Sequence, residues 1–185
     1  MDTYVLVHGA WHNGNLLKDV AEAIELDGHK VHLPTLKGNQ DGDSKNVGLD
    51  DAIDSLISFI NTNNIEDCIL VGHSYAGMVI TGAFDRLGKK FIKRLVYWNA
   101  FVPNPGESLN DMTPPEYISL FDQIVHKDGS VLLPFPIWRE AFINDGDLEL
   151  AQSTYKKLNP HPYKTFTDQI QLSQTPAEMQ IGKSY

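Results

Sequence analysis

Ile69-Leu70-Val71-Gly72-His73-Ser74-Tyr75-Ala76-Gly77 decides how the rest of the chain is read. Ile69 to Gly72 are apolar or small and read as a short buried strand. Met78, Val79, Ile80 and Ala83 then begin a helical pattern. Ser74 stands at the corner between the two. A serine on a sharp strand-to-helix turn, with small residues two positions away on each side, has the form of a nucleophile elbow. Small residues are required because the turn is strained and neighbouring backbones come close. Gly72 and Ala76 occupy those positions, and Gly77 follows; the usual pattern has Gly where this chain has Ala76. The competing reading is a serine that merely N-caps a helix after a strand.

Upstream, Tyr4 to His8 is a continuous apolar run ending at Gly9, as in strands buried on both faces. The turn His8-Gly9-Ala10-Trp11-His12-Asn13-Gly14 follows it and leaves backbone N–H groups free to point at an anion. With an elbow serine, one oxyanion donor comes from this turn and the other from the residue after the nucleophile. Those positions are Ala10 and Tyr75. Helical spacing covers Leu16 to Leu26 and Leu49 to Ile60, with a short strand from Lys30 to Leu33 between them. Thr35 to Gly48 reads as a loop. The helix after the elbow runs from Tyr75 to Leu87 and stops at Gly88, and Phe91 to Val102 reads as a fourth strand and its exit. Strands alternating with helices imply a parallel sheet with helices on both faces.

From Pro103 the texture changes. Prolines at 103, 105, 114, 115, 134 and 136 interrupt a run of large apolar residues. Ser119 to Lys127 reads as helical, Val131 to Leu133 as extended, and Trp138 to Ile143 and Leu148 to Leu158 as helices. The expected organisation is a core over 1–102, an inserted lid over 103–172, and a return to the core over 173–185 that opens a further strand. Tyr117, Phe121, Phe135, Trp138 and Phe142, with Trp11, are the candidate substrate-binding residues, suited to a small apolar or aromatic ligand.

Composition narrows the partners. The chain has 185 residues, 42% hydrophobic and 21% charged, with a net charge of −9. Such a balance suits one globular domain and offers no basic field for nucleic acid. No run approaches the ~18 apolar residues of a membrane span. A single cysteine, Cys68, and an N-terminus that enters a strand directly suggest a soluble protein of a reducing compartment, the cytoplasm.

Taken together, Val5-Leu6-Val7-His8-Gly9-Ala10-Trp11-His12, Asp27-Gly28-His29-Lys30-Val31, the elbow, and Leu95-Val96-Tyr97-Trp98-Asn99-Ala100-Phe101-Val102-Pro103 resemble one family. It is the α/β-hydrolases of the plant methylesterase and hydroxynitrile lyase type, with their bacterial small-ester hydrolase relatives. The resemblance covers essentially the whole chain and is weakest in the lid. It implies an α/β-hydrolase fold lacking the last strands, Ser74 as nucleophile, a small ester substrate, and neither metal nor organic cofactor. Related bacterial sequences often carry Asp where this chain has Asn99. The resemblance also places the acid and histidine of the triad beyond Tyr185, with Lys183-Ser184-Tyr185 opening the first of two further strands.

A serine hydroxyl needs a base within hydrogen-bond reach. Of seven histidines, His8 and His12 are expected to shape the oxyanion turn, and His73 to point away from Ser74. His29 and His32 belong to another strand, and His126 and His161 to the lid. Three functions follow: an ester hydrolase, a catalytically impaired small-molecule-binding protein, or a hydroxynitrile-lyase-like enzyme. The last is disfavoured because the plant lyases place threonine where this chain has Ala10. Without further strands the fourth strand becomes the sheet edge, and a homodimer contact or a rearranged C-terminal segment is expected to cover it.

Overall fold

The computed structural model describes residues 1–185. Strand β1 (Thr3–Val7) leads through a 3₁₀ turn (Gly14–Leu17) into helix α1 (Lys18–Leu26). There follow β2 (Lys30–His32), α2 (Leu49–Thr62), β3 (Cys68–His73), α3 (Ala76–Leu87) and β4 (Ile92–Trp98). The expected elements of this half are all present, their ends displaced by a few residues at most.

After β4 the elements are short: α4 (Pro115–Ile124), β5 (Ser130–Val131), a helical turn α5 (Phe135–Ile137) continued as a π-helical turn (Trp138–Phe142), α6 (Leu148–Tyr155), β6 (His161–Pro162), α7 (Lys164–Thr167) and β7 (Gly182–Ser184). Helix α4 begins earlier than the expected Ser119 because Pro115 occupies its first turn, where a missing N–H costs nothing. Strands β5 and β6 pair antiparallel, with Val131 opposite His161.

The main sheet has five strands in the order β2-β1-β3-β4-β7, every pair parallel. This is the α/β arrangement expected from the alternating pattern. As expected, the C-terminal segment opens a further strand, and it covers the edge of β4. Gly182–Ser184 pairs with Arg94, Leu95 and Val96, and the Arg94 guanidinium donates to the Ser184 hydroxyl. Trp98 lies past this short pairing and remains 43% exposed.

Strand alternation sorts the core. Val5, Val7, Leu70, Leu95 and Tyr97 face α2 and α3 within the larger apolar cluster, whereas Leu6 and Val71 face α1 with Leu17 and Ala21. Leu56 and Ile60 on α2 are fully buried, each stabilising the fold by ~1.5–3 kcal/mol through removal of apolar surface from water. Cys68, at the start of β3, is fully buried and unpaired. The chain after β6 is tied back to this core by Asp168, whose carboxylate accepts from the Leu49 N–H at the N-terminus of α2, where the helix dipole favours negative charge. No helix is long and apolar enough to cross a membrane.

Candidate active site

The site forms where β1 and β3, neighbours in the sheet, both end. Ser74 leaves β3 with φ 54°, the left-handed region that a non-glycine residue adopts only where its surroundings enforce it. Here the enforcement is visible. The Ser74 N–H donates to the Trp98 carbonyl (3.3 Å), and the Ser74 carbonyl accepts from the Phe101 N–H (3.1 Å). The turn is thereby stapled to the exit of β4. Gly77 shows how tight the fit is, since a Cβ there would run into the Phe101 carbonyl oxygen.

The turn after β1 abuts this elbow. A Cβ built on Gly9 would lie 3.2 Å from the Ser74 Cβ. Trp11 also takes a left-handed backbone, φ 63°. Its indole N–H donates to the Val131 carbonyl (3.0 Å), and its own carbonyl accepts from the Asn159 N–H (2.7 Å). Ala10 and Tyr75 are buried, yet neither backbone N–H donates within the backbone hydrogen-bond network. Buried amides left free are rare, and two beside one serine form a ready acceptor site for an anionic oxygen.

Two chambers meet at Ser74. One is an apolar cavity of about 190 Å³ whose lining includes Ala10, Trp11, Tyr75, Phe101, Leu109, Tyr117, Phe121, Phe142 and Phe166, with no charged residue. The other, about 280 Å³, is polar and includes His12, His73, Asn99 and Trp138, with Phe142 common to both. Of the candidate binding residues, Trp11, Tyr117, Phe121 and Phe142 therefore share the apolar cavity, while Trp138 borders the polar chamber. Phe135 belongs to neither, because its ring packs edge-on against Tyr155 at 5.3 Å. Leu109 and Phe166 enter the lining from segments with no chemical motif, so only their hydrophobicity marked them, and Phe101 enters from the exit of β4.

The histidines divide clearly. The His8 Nε2 accepts from the Leu36 N–H (3.0 Å), so Nδ1 carries the proton and donates to the Gly9 carbonyl (2.9 Å). Burial pushes its pKa down to about 4. The His12 Nδ1–H donates to the Ala10 carbonyl (2.7 Å), and burial lowers its pKa as well. Both histidines shape the turn, as expected. His73 differs from expectation: its ring borders the polar chamber beside Ser74. It continues the face of Ile69 and Val71, and packing against Trp98 (4.9 Å between ring centres) and His12 (6.4 Å) keeps it at the strand end. Burial lowers its pKa to about 4. His161 is fully buried, with Asn39 on its Nδ1 side and Thr165 on its Nε2 side as hydrogen-bond partners. No group of His, Cys, Asp and Glu side chains is arranged to hold a metal ion.

Comparison with known proteins places this geometry. The alpha/beta hydrolase family model matches residues 4–178. The chain belongs to that family. A carbendazim hydrolyzing esterase from Nocardioides sp. (strain SG-4G) is 45% identical over 117 residues, which are 62% of this chain and 48% of that protein. Methylesterase 18 of Arabidopsis thaliana is 26% identical over 98% of this chain and 76% of its own length. Among solved structures, an extracellular α/β-hydrolase from a Paenibacillus species superposes with a TM-score of 0.95 at 32% identity, covering 100% of this chain and 76% of that one. That protein is described as sharing structural and functional homology with tobacco salicylic acid binding protein 2. The chain thus spans about half the length, 48%, of the carbendazim esterase.

Proposed function

We propose that this chain is a serine hydrolase of small, uncharged carboxylic esters, with Ser74 as nucleophile. The observation that carries the reading is the pair of free, buried N–H groups of Ala10 and Tyr75 beside a serine in a left-handed turn. In this mechanism the Ser74 oxygen attacks the ester carbonyl carbon while its proton passes to water in the polar chamber, from which the departing alcohol regains one. The two N–H groups hold the negative charge that develops on the carbonyl oxygen. Collapse of the adduct expels the alcohol, which takes up a proton, and water then releases the acid from Ser74. The uncharged apolar cavity receives the hydrocarbon or aromatic part of the substrate. The segment 103–172 acts as the lid, contributing Tyr117, Phe121 and Phe142 to that cavity. The lone buried thiol agrees with a cytoplasmic setting.

One observation favours a second reading, a protein that binds such molecules with impaired catalysis: the Ser74 hydroxyl has no hydrogen-bonded histidine, and His8, His12 and His161 are committed elsewhere. Turnover of p-nitrophenyl acetate and of carbendazim by wild type and Ser74→Ala separates the two. The hydrolase reading expects the variant to lose ~10⁴-fold or more in rate. Equal rates remove Ser74 from the mechanism. Ligand-induced quenching of Trp11 fluorescence without turnover establishes the binding reading.

A further inference from the structure

Against the two turns lies a buried polar cluster that the proposed mechanism does not use. His161, Asn39 and Thr165 are all essentially inaccessible to solvent. The Asn39 amide Nδ2 lies 3.0 Å from His161 Nδ1, and the Thr165 hydroxyl lies 2.9 Å from His161 Nε2. The Thr165 hydroxyl donates its one proton to the Pro162 carbonyl (2.8 Å), so it can only accept from His161. An amide NH₂ can only donate. The cluster therefore fits a single form of the ring: neutral, with the proton on Nε2 and the Nδ1 lone pair facing Asn39. A second proton on Nδ1 would point at the Asn39 amide hydrogens.

The ring so fixed touches both turns. Its centre is 4.7 Å from that of Tyr75, nearly perpendicular, and 6.3 Å from that of Trp11. Phe166 stacks on its other side at 4.9 Å and also reaches Tyr75 and Trp11, each at 5.9 Å. His161 is moreover paired across the β5–β6 ladder with Val131, whose carbonyl accepts the Trp11 indole. Trp11 and Tyr75 are the neighbours in sequence of Ala10 and Ser74, so their side chains govern the orientation of the two free N–H groups.

We infer that His161 is a positioning residue: a neutral imidazole, locked by Asn39 and Thr165, sets Trp11 and Tyr75 so that the Ala10 and Tyr75 N–H groups converge on one oxygen. The catalytic consequence rests on the ester-hydrolase reading; the structural consequence does not. Two measurements on the full chain keep them apart. In His161→Phe, which retains a ring but neither hydrogen bond, the amide signals of Ala10 and Tyr75 in the ¹H–¹⁵N spectrum are expected to shift while those of α2 stay in place. For p-nitrophenyl acetate, kcat is expected to fall about tenfold to a hundredfold, the scale of a misaligned reacting group, with KM nearly unchanged. His161→Gln, able to accept from Asn39 and donate to Thr165, should recover much of the loss. Thr165→Val, which keeps the imidazole but removes its Nε2 partner together with the bond to the Pro162 carbonyl, serves if the phenylalanine variant does not fold. Unshifted Ala10 and Tyr75 signals overturn the inference whatever the enzyme does. Shifted signals with unchanged Ser74-dependent kcat overturn its catalytic part. If Ser74→Ala turns over ester as well as wild type does, the hydrolase reading falls and the amide spectrum alone decides the positioning role.

Discussion

At the end of β1, Trp11 takes a left-handed backbone (φ 63°); at the end of β3, Ser74 does the same (φ 54°). Each turn leaves a buried N–H free, at Ala10 and at Tyr75. They are held by different parts of the molecule. The elbow is fixed by the sheet itself, through Trp98, Phe101 and the contact under Gly77. The Trp11 turn is fixed from above by Val131, Asn159 and His161, all contributed by the short elements after β4, and from below by His8. Strain in the first is therefore balanced by the most stable part of the fold. Strain in the second is balanced by contacts from a region of small elements. The two turns that carry the free Ala10 and Tyr75 N–H groups are thus expected to respond to different substitutions.

The largest expected effect breaks the elbow. Gly77→Ala forces a methyl against the Phe101 carbonyl, where neither backbone can yield, and should cost about 3 kcal/mol or more. Urea denaturation checks it; a loss below ~1 kcal/mol would mean that the exit of β4 does not fix the elbow.

Acid should act next, and on the other turn. The His8 ring is neutral when folded, with its pKa held at about 4 by burial rather than the usual 6.5. Below pH 6.5 the unfolded chain binds a proton that the folded chain refuses, so stability falls as pH drops from 6.5 to about 4 and then levels off for this group. A shift of this size corresponds to about 3 kcal/mol. His73 titrates over the same window. Denaturation midpoints followed across this range should show the fall, and a His8→Gln variant should show a shallower one. An unchanged slope in that variant would detach His8 from the effect.

The mildest change sharpens the contrast. Trp11→Phe keeps the ring but loses the indole donor, leaving the buried Val131 carbonyl without its partner, at a cost of about 1–3 kcal/mol. Hydrogen exchange should quicken at β5 and β6 while the amides of β3 and α3 keep their protection. Equal quickening in both regions would show that the two turns are held as one unit.

The same division explains what the sequence could and could not reveal. β1, β3 and β4 read clearly because strands buried on both faces are continuously apolar, and α2 and α3 because their apolar residues recur at helical spacing. Ser74, Ala10 and Tyr75 came together as the elbow and its neighbouring turn require. After Pro103 the helices were legible to within a few residues, but their pairing and placement were not. The two-residue ladder of β5 with β6 joins residues about thirty positions apart and has no local signature. The stretch from Trp138 to Phe142 winds as a π-helical turn with Phe142 in the cavity lining, while Phe135, in the turn before it, packs on Tyr155. The role of His161 was invisible for a similar reason, since Asn39 lies 122 residues away and meets it only in the folded chain.

Cys68 has a practical consequence. It is the only cysteine, it starts the strand that ends one residue before Ser74, and burial raises its thiol pKa to about 12. Thiolate is the reactive form, so the folded protein should be nearly inert to alkylating and disulfide reagents. Modification then requires β3 to leave the sheet. The chain carries a built-in chemical clock: the rate at which its one thiol is labelled under native conditions counts the excursions in which the strand leading to Ser74 comes loose.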